Sequence, residues 1–127
     1  MTYEELISNN NIDISQNEKD FQDAWEEWNN DNNSKNAWDR MWICVFYTCM
    51  NIAKNIYTKR CVIVDNEVLL DRVTDGTTYV MKFIKRGIRP AKLSSYCFLR
   101  VRRFIDDPKQ VWYDTNMTQF PENKKEY

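Results

Sequence analysis

The chain has no histidine, two glycines and three prolines in 127 residues. Without histidine, no Ser/His/Asp or Cys/His nucleophile set can be assembled. A zinc site would need all four cysteines, Cys44, Cys49, Cys61 and Cys97, brought together from separated positions. They show no close pairing and read as reduced, mostly buried small apolar residues. So little glycine leaves no phosphate loop and no nucleophile elbow. The neighbouring carboxylates Asp106 and Asp107 precede Pro108, where capping and solvation explain them. No metal, no cofactor and no catalytic set is therefore expected, which points to a binding protein and not to an enzyme. No apolar run approaches the roughly 20 residues that a membrane span requires. The opening residues Met1-Thr2-Tyr3-Glu4-Glu5 also lack the basic start of a secretory signal. A cytoplasmic protein without membrane contacts is the expectation.

What the chain does have is apolar and aromatic content: 43% hydrophobic and 14% aromatic residues, enough for one packed core. Its net charge of −1 conceals a segregation. Residues 1–35 carry nine acids against two lysines, a net −7, whereas residues 36–113 carry fourteen Lys or Arg against seven Asp or Glu, a net +7. A basic body attracts a polyanion whatever the whole-chain balance, because fields act over about a Debye length. The acidic head is then either an internal competitor for the same surface or a solvated acidic helix beside an asparagine-rich linker.

Three segments follow from these patterns: an acidic arm with a short amphipathic helix at 1–35, a helical domain at 36–113 and a flexible tail at 114–127. The first nineteen residues are polar and read as a loosely docked arm. Phe21, Ala24, Trp25 and Trp28 then recur at helical spacing opposite Asp23, Glu26 and Glu27, which predicts a helix packed on the body. After a linker at 29–36, a long helix is expected from Ala37 to about Tyr57. Its stripe is Trp38, Trp42, Val45, Cys49, Ile52 and Ile56, with Met41, Ile43, Phe46 and Tyr47 as further large groups. Apolar on more than one face, it should be the central element. Cys61 to Val64 is strand-like in isolation, but with no partner strand it reads as an extended linker. The next helix is predicted from Asp65 to Arg86, burying Leu70, Val73, Thr77, Val80 and Ile84 and wetting Asp71, Thr74, Asp75 and Thr78. Gly76 in its middle suggests close approach to a neighbouring helix. Lys85, Arg86 and Gly87 suit its end. The fold class is all-α, a bundle of three to four main helices.

The last helix carries the functional signal. Ser94 or Ser95 can cap it just after the break at Gly87 to Pro90. Leu93, Cys97, Val101 and Phe104 form its expected buried stripe, with Phe98 and Ile105 at the margin. Tyr96, Arg100 and Arg103 are left turned to solvent. Arginine supplies charge and a flat stacking plane, and a tyrosine ring can hold an unpaired base at about 1–3 kcal/mol per stacked base. The plainer alternative is an amphipathic helix with solvated arginines. Beyond it, Val111, Trp112 and Tyr113 are expected to fold back on the body.

Asp71-Arg72-Val73-Thr74-Asp75-Gly76 with Met81-Lys82, followed by Lys92-Leu93-Ser94-Ser95-Tyr96 and Val101-Arg102-Arg103-Phe104-Ile105, resembles region 2 of bacterial RNA polymerase sigma factors. That family carries an Asp-Leu-Ile-Gln-Glu-Gly-like helix and then Lys-Phe-Ser-Thr-Tyr-Ala leading into a second helix. The similarity covers about residues 37 to 106. It implies a sigma region 2-like bundle whose first matching helix docks on the clamp of the polymerase core, through Asp71, Thr74, Asp75, Thr77 and Met81. Thr77 also lies on the predicted buried stripe, so for that position the two readings conflict. The resemblance further implies that Lys92, Leu93, Ser95, Tyr96, Leu99, Arg100 and Arg103 engage the minus-ten promoter element as flipped bases of the single-stranded non-template strand. Leu99 and Arg100 stand where the family usually has paired tryptophans, which removes its stacking wedge. Arg100 could partly substitute through its guanidinium. Residues 106–127 hold no second helical pair, so no helix-turn-helix domain is expected and promoter recognition would use one element or a partner. A phage or mobile-element origin is implied, with the host cytoplasm as its setting.

Two other functions fit the same residues. A phage structural or assembly protein could use Trp25, Trp28, Trp112 and Tyr113 as interface anchors for other phage proteins. An inhibitor of host RNA polymerase could occupy the clamp, with the acidic head as a DNA mimic.

Overall fold

The computed structural model describes residues 13 to 31 and 34 to 106. Within them the chain forms four helices and no strand: α1 (Ile14–Asn30), α2 (Lys35–Lys59), α3 (Asn66–Lys85) and α4 (Leu93–Asp106). The first three start on a side-chain cap of the type the sequence supplies. Asp13 accepts from the Gln16 amide, Ser34 from that of Ala37 and Asp65 from that of Glu67. Two helices end in a left-handed residue that lets the chain turn back on the last carbonyls. Cys61 (φ 56°) ends α2 with the Val62 amide donating to the Tyr57 carbonyl, and Gly87 (φ 103°) ends α3 with the Ile88 amide donating to that of Phe83. The 61–64 segment is extended linker, as expected.

α2 is the central element, packed against α1, α3 and α4, while α3 and α4 also pack on each other. Its Met41, Val45, Phe46, Cys49, Met50 and Ala53 sit in the core, joined by Val73, Val80 and Ile84 from α3 and by Leu93, Cys97, Val101 and Ile105 from α4. Gly76 is buried because α4 crosses there. A Cβ at this position would lie 3.0 Å from Cγ2 of Val101 and 3.7 Å from its Cα, so the close approach suggested by a glycine in mid-helix is present.

Several expectations change. α1 begins at Ile14, so residues 14–19 form helix in place of a loose arm. Its Phe21 and Ala24 are fully buried, and the Asn17 amide group donates to the Cys44 carbonyl and to Oγ1 of Thr48, fastening α1 to α2. α4 starts at Leu93 and not on a serine cap. The carboxylate of Glu18, on α1, accepts from the Leu93 and Ser94 amides instead. Phe104 is only half-buried and Phe98 is exposed, the core stripe running on through Ile105. Ile43 is exposed, Leu69 is buried, and Leu70 is half-buried. Residues 1–12, 32–33 and the tail from 107, with Val111, Trp112 and Tyr113, lie outside the described residues. No described helix is long and apolar enough to cross a membrane.

Candidate nucleic-acid interface

α4 is short, and one side of it is mostly polar or basic. Lys92, Tyr96, Leu99, Arg100 and Arg103 share that side by helical spacing. Its opposite side is locked by Leu93, Cys97, Val101 and Ile105, which fixes which side chains face out. Lys92, Ser95 and Arg103 are exposed, Leu99 is 63% exposed, and Tyr96 and Arg100 are half-buried. Leu93 is fully buried and cannot touch a ligand, which removes it from the matching positions.

The geometry at Tyr96 is specific. The Arg100 guanidinium lies over the ring at 3.7 Å from its centroid, and Nη1 donates to the Tyr96 carbonyl at 3.1 Å. Tyr96 also packs against the core cluster. What α4 offers outward is therefore a guanidinium plane backed by a phenol, not the bare ring that the sequence suggested.

α3 extends this surface with residues that sequence reasoning missed. Tyr79 meets Phe83 and Phe104 edge-on at 5.0 and 5.7 Å between centroids, and its hydroxyl accepts from Arg103 at 3.4 Å. Arg86 lies over the Phe83 ring at 5.6 Å, and Arg103 over Tyr79 at 6.0 Å. The result is a ridge in which aromatic rings alternate with guanidinium groups across two helices. The signal for it was in the chain: Tyr79, Phe83 and Arg86 stand at i, i+4 and i+7, with Lys82 between them.

Farther back on α3, Asp71 and Asp75 are exposed and Thr74 is half-buried, leaving a small acidic face. Burial and the neighbouring Asp71 carboxylate push the Asp75 carboxyl above its ordinary value, while the Arg72 guanidinium pulls the other way. The remaining two residues expected on this face are not on it. Thr77 is fully buried, its hydroxyl donating to the Val73 carbonyl at 2.7 Å, and Met81 is 3% exposed in the core. Both are buried because they continue the stripe of Val73, Val80 and Ile84. The exposed charges of α3 are thus carboxylates on its N-terminal half, Glu67, Asp71 and Asp75, and cations near its end, Lys82 and Lys85, the order its own dipole favours.

No protein-family model, curated protein or solved structure matches this chain. Among the described residues no three of His, Cys, Asp and Glu converge as metal ligands would.

α1 fastens the loop that joins α3 to α4. Arg89, in the α3–α4 loop, donates to Gln22 at 2.8 Å and to Glu26 at 3.0 Å while lying 4.6 Å over the Trp25 ring. Gln22 and Trp25 donate in turn to the Pro90 and Ile88 carbonyls. Together with Glu18 at the α4 amides, these contacts engage much of the acidic side of α1 internally. Glu27 is paired with Arg40. Trp25 and Trp28, the expected interface anchors in this region, are half-buried, one beneath Arg89 and the other against Trp38.

Proposed function

We propose that this chain is a sigma-like transcription factor that binds the core of a bacterial-type RNA polymerase and engages the minus-ten promoter region as single-stranded DNA, in the cytoplasm of the cell that holds that polymerase. The observation that carries the reading is the ridge itself. The Arg100 guanidinium stacked on Tyr96 stands beside Arg103 on Tyr79 and Arg86 on Phe83. Alternating rings and guanidinium groups suit unpaired bases, which present π-faces, joined by phosphates, which present charge. A duplex would conceal those faces. Asp71, Thr74 and Asp75 supply a separate acidic face for a protein partner, on the same helix but nearer its start. The resemblance to sigma region 2 in motif order supports both assignments together.

The test has two arms. Fluorescence anisotropy with a non-template minus-ten strand should give tighter binding than with the matching duplex, and Arg100→Ala together with Arg103→Ala should weaken it by about 10-fold or more. Capture of core polymerase should be lost on Asp71→Lys with Asp75→Lys. Equal affinity for strand and duplex in the parent chain, or capture that ignores both charge reversals, would overturn the proposal.

A further inference from the structure

We propose that the notch between Trp28 and Trp38 is a second ligand site that takes one nucleotide unit, its base against the indoles and its phosphate between Lys35 and Lys85. The two rings lie 5.4 Å apart between centroids, tilted by 43°. Trp28 is on the last turns of α1, Lys35 opens α2 with Trp38 one turn on, and Lys85 closes α3. These four side chains line a groove of about 290 Å³, close to the lower bound for small-ligand pockets.

Two observations separate this groove from two others among the described residues. Its cations are uncommitted: neither Lys35 nor Lys85 is in an ion pair with any described residue. By contrast, in the groove floored by Ile52, Ile56 and Phe98 two of the three rimming cations, Arg60 and Arg102, are engaged by Asp106, leaving Lys59 with no aromatic pair beside it. The groove beside Asp20 and Asp23 has its one cation, Arg40, paired with Glu27. Secondly, both indoles are half-buried and packed against the core, so they are held in place and lose little freedom on binding a flat ring.

Lys85 directly precedes Arg86, which belongs to the ridge, so a strand leaving the ridge could place a further nucleotide in the notch. A free nucleotide presents the same chemistry. The notch does not depend on the polymerase reading, and the experiment separates the two. The full chain, labelled with ¹⁵N, is titrated with adenosine monophosphate and with a short oligodeoxyadenylate while the indole N–H resonances are followed by NMR, Trp28→Phe and Trp38→Phe assigning them. The Trp28 and Trp38 resonances should shift with the oligonucleotide, and Lys35→Glu with Lys85→Glu should weaken that response about 10-fold. A shift with the mononucleotide as well marks the site as one for free nucleotides. A shift with the oligonucleotide alone marks it as part of a strand path. Arg100→Ala with Arg103→Ala should leave any indole response to the mononucleotide in place, and an oligonucleotide that binds the parent chain without shifting the indoles marks failure of the notch and not of the ridge. Indole resonances that stay fixed with both probes, or a charge-reversed chain that responds as the parent does, would overturn the proposal.

Discussion

The carboxylate of Glu18 accepts hydrogen bonds from the backbone N–H groups of Leu93 and Ser94, both at 2.8 Å. The two residues are the first of α4, and their amides have no partner within the helix itself. A carboxylate from α1 therefore does for α4 what a local Ser or Asp does for the other helices, and adds charge at the positive end of its dipole. Replacing Glu18 by Ala should cost about 1–2 kcal/mol, at the upper end for a cap because a charge is lost with it. Glu18→Gln, which keeps an acceptor but no charge, should recover part of it. Urea midpoints of the three proteins measure this, and equal midpoints would show that the cap contributes nothing.

Gly76 offers a sharper test of packing. An alanine there would gain about 1 kcal/mol of helix propensity, but its methyl group would meet Cγ2 of the fully buried Val101 at 3.0 Å. Overpacking of this kind costs about 1–3 kcal/mol, so Gly76→Ala should be destabilising by about 1 kcal/mol net. In a Val101→Ala background the methyl has room, and the same substitution should become neutral or favourable. A double-mutant cycle reads the coupling directly. Additivity of the two changes would refute it.

How much of this was legible beforehand differs by element. The all-helical class, the central position of α2 and the near-bounds of α3 followed from apolar spacing, since burial of a stripe is what a helix in water requires. The cost of a glycine in mid-helix suggested a close approach at Gly76, but not that α4 would be the helix to make it. The Glu18 cap was not legible, because its partners are 75 and 76 residues away in the chain. Thr77 and Met81 were assigned to an exposed face by motif position, although Thr77 also continues the apolar period of Val73 and Val80. Where the two signals disagreed, the period was right. The pairing of Arg100 with Tyr96 could be suspected from i, i+4 spacing, but that the guanidinium would cover the ring needed the fold.

The cysteines should divide sharply in reactivity. Cys61 is exposed, whereas Cys44, Cys49 and Cys97 are buried. Burial, with the nearby Asp20 and Glu18 charges, raises the Cys44 thiol to about 11 despite Arg40. A hydrogen bond with Cys49, together with burial, pushes Cys97 up as well. Reaction needs the thiolate and access. An aromatic disulfide reagent at neutral pH should modify one thiol per native chain, identified as Cys61 by loss of the signal in Cys61→Ser, and all four in denaturant. Rapid labelling of Cys97 in the native protein would contradict its burial on the core side of α4, against Cys49 of α2.

Two aspartates should give stability opposite dependences on pH. Burial raises the Asp106 carboxyl, but hydrogen bonds from Arg60 (2.5 Å) and Arg102 (3.0 Å) outweigh it and hold the group below its ordinary value of 3.8. A depressed folded value means stability that is present above the unfolded value and is lost as pH falls through the folded one. Asp106→Asn should thus be less stable than the parent at neutral pH, by about 0.2–1 kcal/mol as for an exposed ion pair, and the difference should close in acid. Asp75 is shifted upward by burial and by Asp71, so its ionised form opposes folding at neutral pH. The parent then gains stability as pH falls through the raised value and stops gaining below the unfolded one. Asp75→Asn should be more stable than the parent at neutral pH by about 0.2–0.5 kcal/mol, the size of a like-charge pair four residues apart on a helix, with the advantage vanishing in acid. Urea titrations of the three proteins across the acid limb test both signs at once, and parallel curves for parent and Asp75→Asn would remove the case for a carboxylate strained toward protonation on that face.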